Sequence, residues 1–517
     1  MLFDSAPDLA AIELRLRQLL PASLYAEIWV EPLPNSLMQV FEHLRTLQHV
    51  LHGYMPRQVL ELPPCPGEVR YSWQEGTLLF TDLAGFTPLM EANAAHGQQG
   101  ALLLLDILNR YFSEMVEIVS KSGGDLLEFT GDAILVQFLA DSYESDAAQA
   151  VRAGLRMQRA MAHFKDIETP QGKFCLEMRV GIHTGRFLTA EIGTPMRMAH
   201  VLLGSTVQQA KHAEGAGEVG RVCLTDKVGD RLRSKFRLES LNADLNADHV
   251  LVKDDLLLDQ LGEYDITPSR RRLSNSLLLD RSPQGLIAEI QEAVKRIEPL
   301  ASYLSTPILN LLVESAAKRQ ISPNFPEATV VFVNLVGFPE SIDKATSDEV
   351  KDVVGSFSRT FALVHAAVRS HGGILQKVTY HLDGSDILIY FGVLDAHTDD
   401  AVRAVETATA IQEIVMKLST LMVEGQPVEV NCRIGIASGF VFAAEIGEPR
   451  GRREFNILGD PVNTAARLAM QATPNQILVT EQVYGAIAPH FSGEPLGKIA
   501  LKGKVLPTAI FALQSQL

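Results

Sequence analysis

Phe80-Thr81-Asp82-Leu83-Ala84-Gly85-Phe86 returns about 250 residues later as Phe332-Val333-Asn334-Leu335-Val336-Gly337-Phe338. A second pair keeps nearly the same spacing. Arg179-Val180-Gly181-Ile182-His183-Thr184-Gly185, running on to Ala190-Glu191-Ile192-Gly193, matches Arg433-Ile434-Gly435-Ile436-Ala437-Ser438-Gly439, running on to Ala444-Glu445-Ile446-Gly447. A near-constant offset between separate motifs marks a duplicated domain. The two copies have diverged in complementary ways: the first keeps acidic residues where the second has amide or neutral ones, and the second keeps Lys, Asn and Arg where the first has Glu, Gln and His. Such losses imply one working site shared between the copies.

Outward from these motifs, each copy reads as the same series of elements. In the first, a short apolar strand at 77–80 precedes a helical pattern over 96–121 that stops at Gly123-Gly124. Apolar strands at 126–129 and 133–138 flank Gly131-Asp132, where a hairpin needs its turn. A helix over 146–163, a strand over 175–185 and a helix after Gly204 complete the set. The second copy repeats it with a strand at 329–334, a helix at 348–370, a hairpin over 375–391, a helix at 399–419 and a strand at 428–439. This order is the split βαβ, ferredoxin-like unit, so the expected class is α+β with two βαββαβ domains paired pseudo-symmetrically within one chain. The expected boundaries are an accessory segment at 1–70, a first domain at 71–264, a linker with helical content at 265–323 and a second domain at 324–517. Arg270-Arg271-Arg272 in the linker reads as a solvated run.

Bulk properties exclude several classes. With 517 residues there is room for about three ordinary domains. A formal charge of −16 and the lack of a basic stripe argue against polymeric nucleic acid as partner. Apolar runs such as 101–105 are soon broken by charge, so neither a membrane span nor a secretory signal is expected. The 4 cysteines lack CxxC spacing, as expected of reduced thiols in a cytoplasmic protein without a zinc site.

Asp82 closes the first strand and Asp132 sits in the turn of the adjacent hairpin, which places both carboxylates at one end of neighbouring strands. Hard oxygen ligands so placed suit Mg²⁺, which takes few protein carboxylates and completes its shell with water and phosphate oxygens. Two such ions roughly 4 Å apart serve an in-line phosphoryl displacement.

At this point a family resemblance becomes specific. Residues 80–87, with Gly123-Gly124 leading to Thr130-Gly131-Asp132, resemble the metal-binding half of the class III nucleotidyl cyclases. Gly459-Asp460-Pro461-Val462-Asn463-Thr464-Ala465-Ala466-Arg467 is similar to that family's Gly-x-x-Val-Asn-x-x-x-Arg element, and Leu501-Lys502-Gly503-Lys504 to its C-terminal Lys-Gly-Lys. Two such domains behind a lead-in resemble the soluble, bicarbonate-responsive adenylyl cyclases in particular. The resemblance implies ATP as substrate, 3′,5′-cyclic AMP and pyrophosphate as products, and two Mg²⁺ (or Mn²⁺) held by Asp82 and Asp132. It implies that Lys377 donates to adenine N1, that Asn456 accepts from the adenine 6-amino group, that Asn463 orients the ribose, that Arg467 reaches the α-phosphate and that Lys502 neutralises the β- and γ-phosphates. Asn456 stands where the family usually has Asp or Thr, and an amide can donate as well as accept, which weakens base selectivity.

The mirror-image site has Asn334 in place of the first metal Asp and is expected to be inactive. In the resembled enzymes it is a bicarbonate pocket. Here Glu128 and Lys211 occupy the positions of its two cations, and the expectation is that they form an ion pair with each other and that Glu128 repels a small anion. The expected assembly is a monomer, with the degenerate site left for some small-molecule regulator. Two alternatives stand beside this reading: a nucleotide-binding regulatory module without turnover, and a cyclase with relaxed ATP/GTP selectivity.

Overall fold

The structure, a computed structural model, describes residues 9–514 except 140–142, 242–247, 263, 265–279, 317–320, 381–383, 419–420, 449–450 and 501–506. Arg270 to Arg272 and Lys502 therefore lie outside the described residues. In each copy the strand that carries the first repeated motif runs through the middle of a mixed sheet. In the front copy Arg70–Ala84 lies between Ala133–Phe138 and Glu177–Thr194, with Asp125–Thr130 at the edge. In the rear copy Glu327–Val336 lies between Ser385–Phe391 and Asn431–Phe440, with Ile374–Tyr380 at the edge. The architecture is α+β, two sheets of matching strand order in tandem. No helix among the described residues is long and apolar enough to cross a membrane.

Local sequence accounts for the helices. Gly97–Lys121 buries Ala101, Leu104, Leu105, Leu108, Phe112, Met115, Val116 and Val119, an i, i+3, i+4 stripe that faces the front sheet. It stops where Gly123 takes φ 80, a left-handed value that costs glycine little. Ser347–Ser370 does the same in the rear copy, and its start carries a capping box between Thr346 and Glu349.

The strand expected over 175–185 continues instead to Thr194 and turns back through Arg197–Leu203, forming a long arm. The rear copy has a matching arm, Phe442–Gly447 paired with Arg453–Leu458. These arms are exchanged. Leu188, Ala190, Ile192, Val201 and Leu203 of the front arm join the rear core beside Phe357 and Phe361, while Phe442, Ala444, Ile446 and Leu458 of the rear arm join the front core. Each hydrophobic core is thus closed by the other copy, and separating them would return fully buried side chains such as Phe442 to water. Paired hydrogen bonds repeat the exchange: Gly447 N donates to Asn109 Oδ1 at 3.2 Å and Gly193 N to Ser358 Oγ at 3.0 Å. Arg452 Nη2 donates to Leu127 O at 3.2 Å, and Arg197 Nη2 to Gln376 O at 2.6 Å.

The duplication reaches beyond the sheets. Helix Pro34–Tyr54 ahead of the front copy packs against helix Pro283–Ala301 ahead of the rear one. Tyr54 Oη donates to Glu445 Oε1 at 2.7 Å and Tyr303 Oη to Glu191 Oε2 at 2.6 Å. Each lead-in is therefore tied to the arm of the opposite copy.

Candidate active site

The front copy supplies the acids. Asp82 lies directly across the sheet from Arg179, whose guanidinium pairs with it and, through Nε, with Glu214 at 3.1 Å. Asp132 follows Gly131, which turns at φ 69. Burial, then the neighbouring charges of Asp82 and Glu214, push Asp132 up to about 7. Asp82, Asp132 and Glu214 thus gather beside Arg179, which pairs with Asp82 and Glu214. Among the described residues no three His, Cys, Asp or Glu side chains come together as a metal cage. Two carboxylates on neighbouring strands suit a hard divalent cation that keeps much of its own water, rather than a dedicated protein cage.

The rear copy faces these acids across one cleft. A cavity of about 290 Å³ is lined by Asp82 and Asp132 from the front and by Lys377, Asn456 and Asn463 from the rear. Asn463 is exposed toward it on the first turn of helix Asp460–Gln471, and half-buried Arg467 stands one turn further along that helix. Burial lowers the Arg467 pKa, with Asp460 opposing. The Gly-x-x-Val-Asn element forms this helix because Gly459 has φ 146 and Pro461 fills its first turn, where no backbone donor is needed.

Two expectations need correction. Glu128 does not pair with Lys211. Its carboxylate lies 3.9 Å from Lys377 Nζ, which also donates to Glu454 Oε1 at 2.9 Å and to Phe129 O. A bulge between Leu126 and Glu128 offsets the strand register and carries Glu128 to that side, where burial pushes it up to about 7 against the opposing pull of Lys377. Lys211 instead sits over the Phe80 ring at 5.4 Å and lowers the pKa of Asp386. Asn456 does not offer an acceptor to a base, because its Oδ1 already accepts from Gln376 Nε2 at 2.5 Å and from Ile457 N at 3.1 Å. Asn334 Nδ2 donates to Asp386 Oδ1 at 2.8 Å, and burial raises Asp386 to about 7.

Sequence reasoning missed Arg179, Glu214, Gln376, Asp386 and Glu454. Arg179 and Asp386 had a signal, since one opens a quoted motif and the other follows the Gly384-Ser385 turn. Gln376 and Glu454 had none, because only tertiary contacts bring them to Asn456 and Lys377.

The family model described as "Adenylate and Guanylate cyclase catalytic domain" matches residues 69–248 and 321–515. The chain belongs to that family and carries its domain twice. Adenylate cyclase type 10 of Rattus norvegicus is 25% identical over 459 residues, which cover 84% of this chain and 26% of that protein. An adenylate cyclase of Mycobacterium tuberculosis (strain ATCC 25618 / H37Rv) is 30% identical over 206 residues, 40% of this chain and 43% of that one. The chain thus spans about a quarter of the length of the rat relative. A class III adenylyl cyclase-like ATP-binding protein from Pseudomonas aeruginosa superposes with a TM-score of 0.55 at 12% identity, covering 87% of this chain and 92% of that one, so both copies share its fold.

Proposed function

We propose that this chain is an adenylyl cyclase that converts ATP to 3′,5′-cyclic AMP and pyrophosphate in the single cleft between its copies. The observation that carries the reading is that Asp82 and Asp132 from one copy line the same cavity as Lys377, Asn456 and Asn463 from the other. The ribose 3′-oxygen attacks the α-phosphorus, the bond to the bridging oxygen of pyrophosphate breaks, and the 3′-hydroxyl proton is released. Such a reaction needs positioning and charge stabilisation more than covalent chemistry. Asn463 holds the ribose so that its 3′-oxygen is in line. Arg467 presents planar donors to the α-phosphate as its charge develops, and Lys502 acts as a point charge on the β- and γ-phosphates. Lys377 donates to the base. Two Mg²⁺ or Mn²⁺ ions bound by Asp82 and Asp132 would supply Lewis-acid activation of the 3′-oxygen and neutralise the leaving group. Both halves of the site lie on one chain, so a monomer suffices.

Incubation of the purified chain with ATP and Mg²⁺ or Mn²⁺, with products resolved by chromatography, tests the proposal. Cyclic AMP and pyrophosphate should appear in equal amounts, and Asp82→Ala should abolish both. Nucleotide binding without either product would replace this reading by that of a regulatory nucleotide sensor.

A further inference from the structure

Gln376 is the extra residue of a β-bulge, since the pairing of Ile374–Tyr380 with Ser385–Phe391 skips from Leu375 to Lys377. The bulge turns its side chain to Asn456. Gln376 Nε2 donates both to the backbone carbonyl of Phe455 at 3.2 Å and to Asn456 Oδ1 at 2.5 Å. Asn456 Oδ1 accepts a second bond from Ile457 N at 3.1 Å. Each amide is thus oriented by a backbone group of fixed polarity, and turning either one over would set donor against donor or acceptor against acceptor. Asn456 is 1% exposed, lines the inter-copy cleft, and its Nδ2 has no hydrogen-bond partner. A buried donor left unpaired is costly until a ligand satisfies it. The front copy has Leu127 and Val201 at the corresponding positions, so this polar pair belongs only to the side of the cleft that keeps the complete substrate set.

Resting on the cyclase reading above, we propose that Gln376 is a positioning residue that turns Asn456 donor-outward, so that the site admits 6-oxopurine nucleoside triphosphates about as well as ATP. A 6-oxo group accepts from Asn456 Nδ2, whereas the adenine 6-amino group brings a second donor to it. Lys377 already donates to Glu454 and Phe129, so one of its three N–H groups remains for the base and the preference for adenine that it gives is weakened.

The test compares ATP, GTP and ITP in two assays on the full chain: displacement of a fluorescent nucleotide analogue, and kcat/KM for cyclic product. ITP carries the 6-oxo group without the 2-amino group of guanine and so isolates the contact. The parent chain should discriminate among the three by less than about 10-fold. Asn456→Asp keeps both acceptor bonds and presents only an acceptor to the cleft, so it should shift selectivity toward ATP by about 10- to 100-fold in both assays. Gln376→Leu, which copies Leu127, should shift it in the same direction by about 10-fold by freeing the amide to turn. A parent preference for ATP above about 100-fold, or variants that fold and leave the ratios unchanged, overturns the proposal. Selective binding with no product from any nucleotide would overturn the cyclase reading and leave the base contact standing, and failure to bind any nucleotide would overturn both.

Discussion

The two faces between the copies began as equivalents and now differ in what their polar groups touch. On the competent face Asp82 and Glu214 share the guanidinium of Arg179, and Asp132 and Asn463 line the same cavity. On the mirror face the corresponding groups are occupied by the protein itself. Asn334 is bonded to Asp386, Gln208 Nε2 donates to Glu340 Oε1 at 3.2 Å, and the Asp343 carboxylate accepts from Ser205 N at 2.7 Å. Glu340 and Asp343 thus lie at the helix N-terminus that would otherwise attract a phosphate. The lesson is that on the mirror face the polar groups are tied to one another within and across the copies, while on the competent face Asp132 and Asn463 line the cavity.

The sharpest way to break this comparison is to remove the acids. Asp132→Ala should lower cyclase activity by on the order of 10³-fold while preserving the fold, since the variant loses a buried charge. Paired substitutions come next. Asn463→Ala should lower kcat by about 10²-fold with a smaller change in KM, and Gln208→Ala, its counterpart, should stay within about 2-fold. A single rate ratio from the two variants tests whether one face or both turn over.

A smaller effect concerns stability. Asn334→Asp would restore a carboxylate to the mirror face but place it against Asp386, and should lower stability by roughly 1–3 kcal/mol at pH 8, seen as a lower Tm. Restored catalysis there is not expected, because the front copy lacks the Asn and Arg of the rear element. The smallest effect is the pH dependence of Asp386 alone. Its folded pKa, about 7, lies above the ordinary value of 3.8, so the folded state holds the proton more tightly. Stability from this group is fully present below about pH 4 and is lost as pH rises toward 7. Asp386→Asn should therefore match the parent Tm in acid and exceed it above pH 7.

Much of the cleft was legible in sequence, because it is made of short motifs on predictable elements. Asp82 ends a strand, Asp132 fills a turn, and Asn463 and Arg467 are a helical turn apart, so local geometry alone brings each pair to one side. The failures share a cause. Motif position pairs Glu128 with Lys211, but a bulge carries it to Lys377, and a bulge leaves no clear mark in periodicity. The strand expected over 175–185 runs on to Thr194 because Leu188, Ala190 and Ile192 pack into the rear copy's core, a contact that no local pattern announces.

By itself the sequence determined that one α+β domain occurs twice and that acids survive in one copy while amides and cations survive in the other, because periodicity, turns and motif spacing are local properties. Tertiary structure alone decided that each arm completes the opposite core, that Tyr54 and Tyr303 tie the lead-in helices across, and that Gln376 turns the Asn456 amide. These contacts join residues far apart in the chain, and their partners are chosen by packing and hydrogen-bond satisfaction in the folded state.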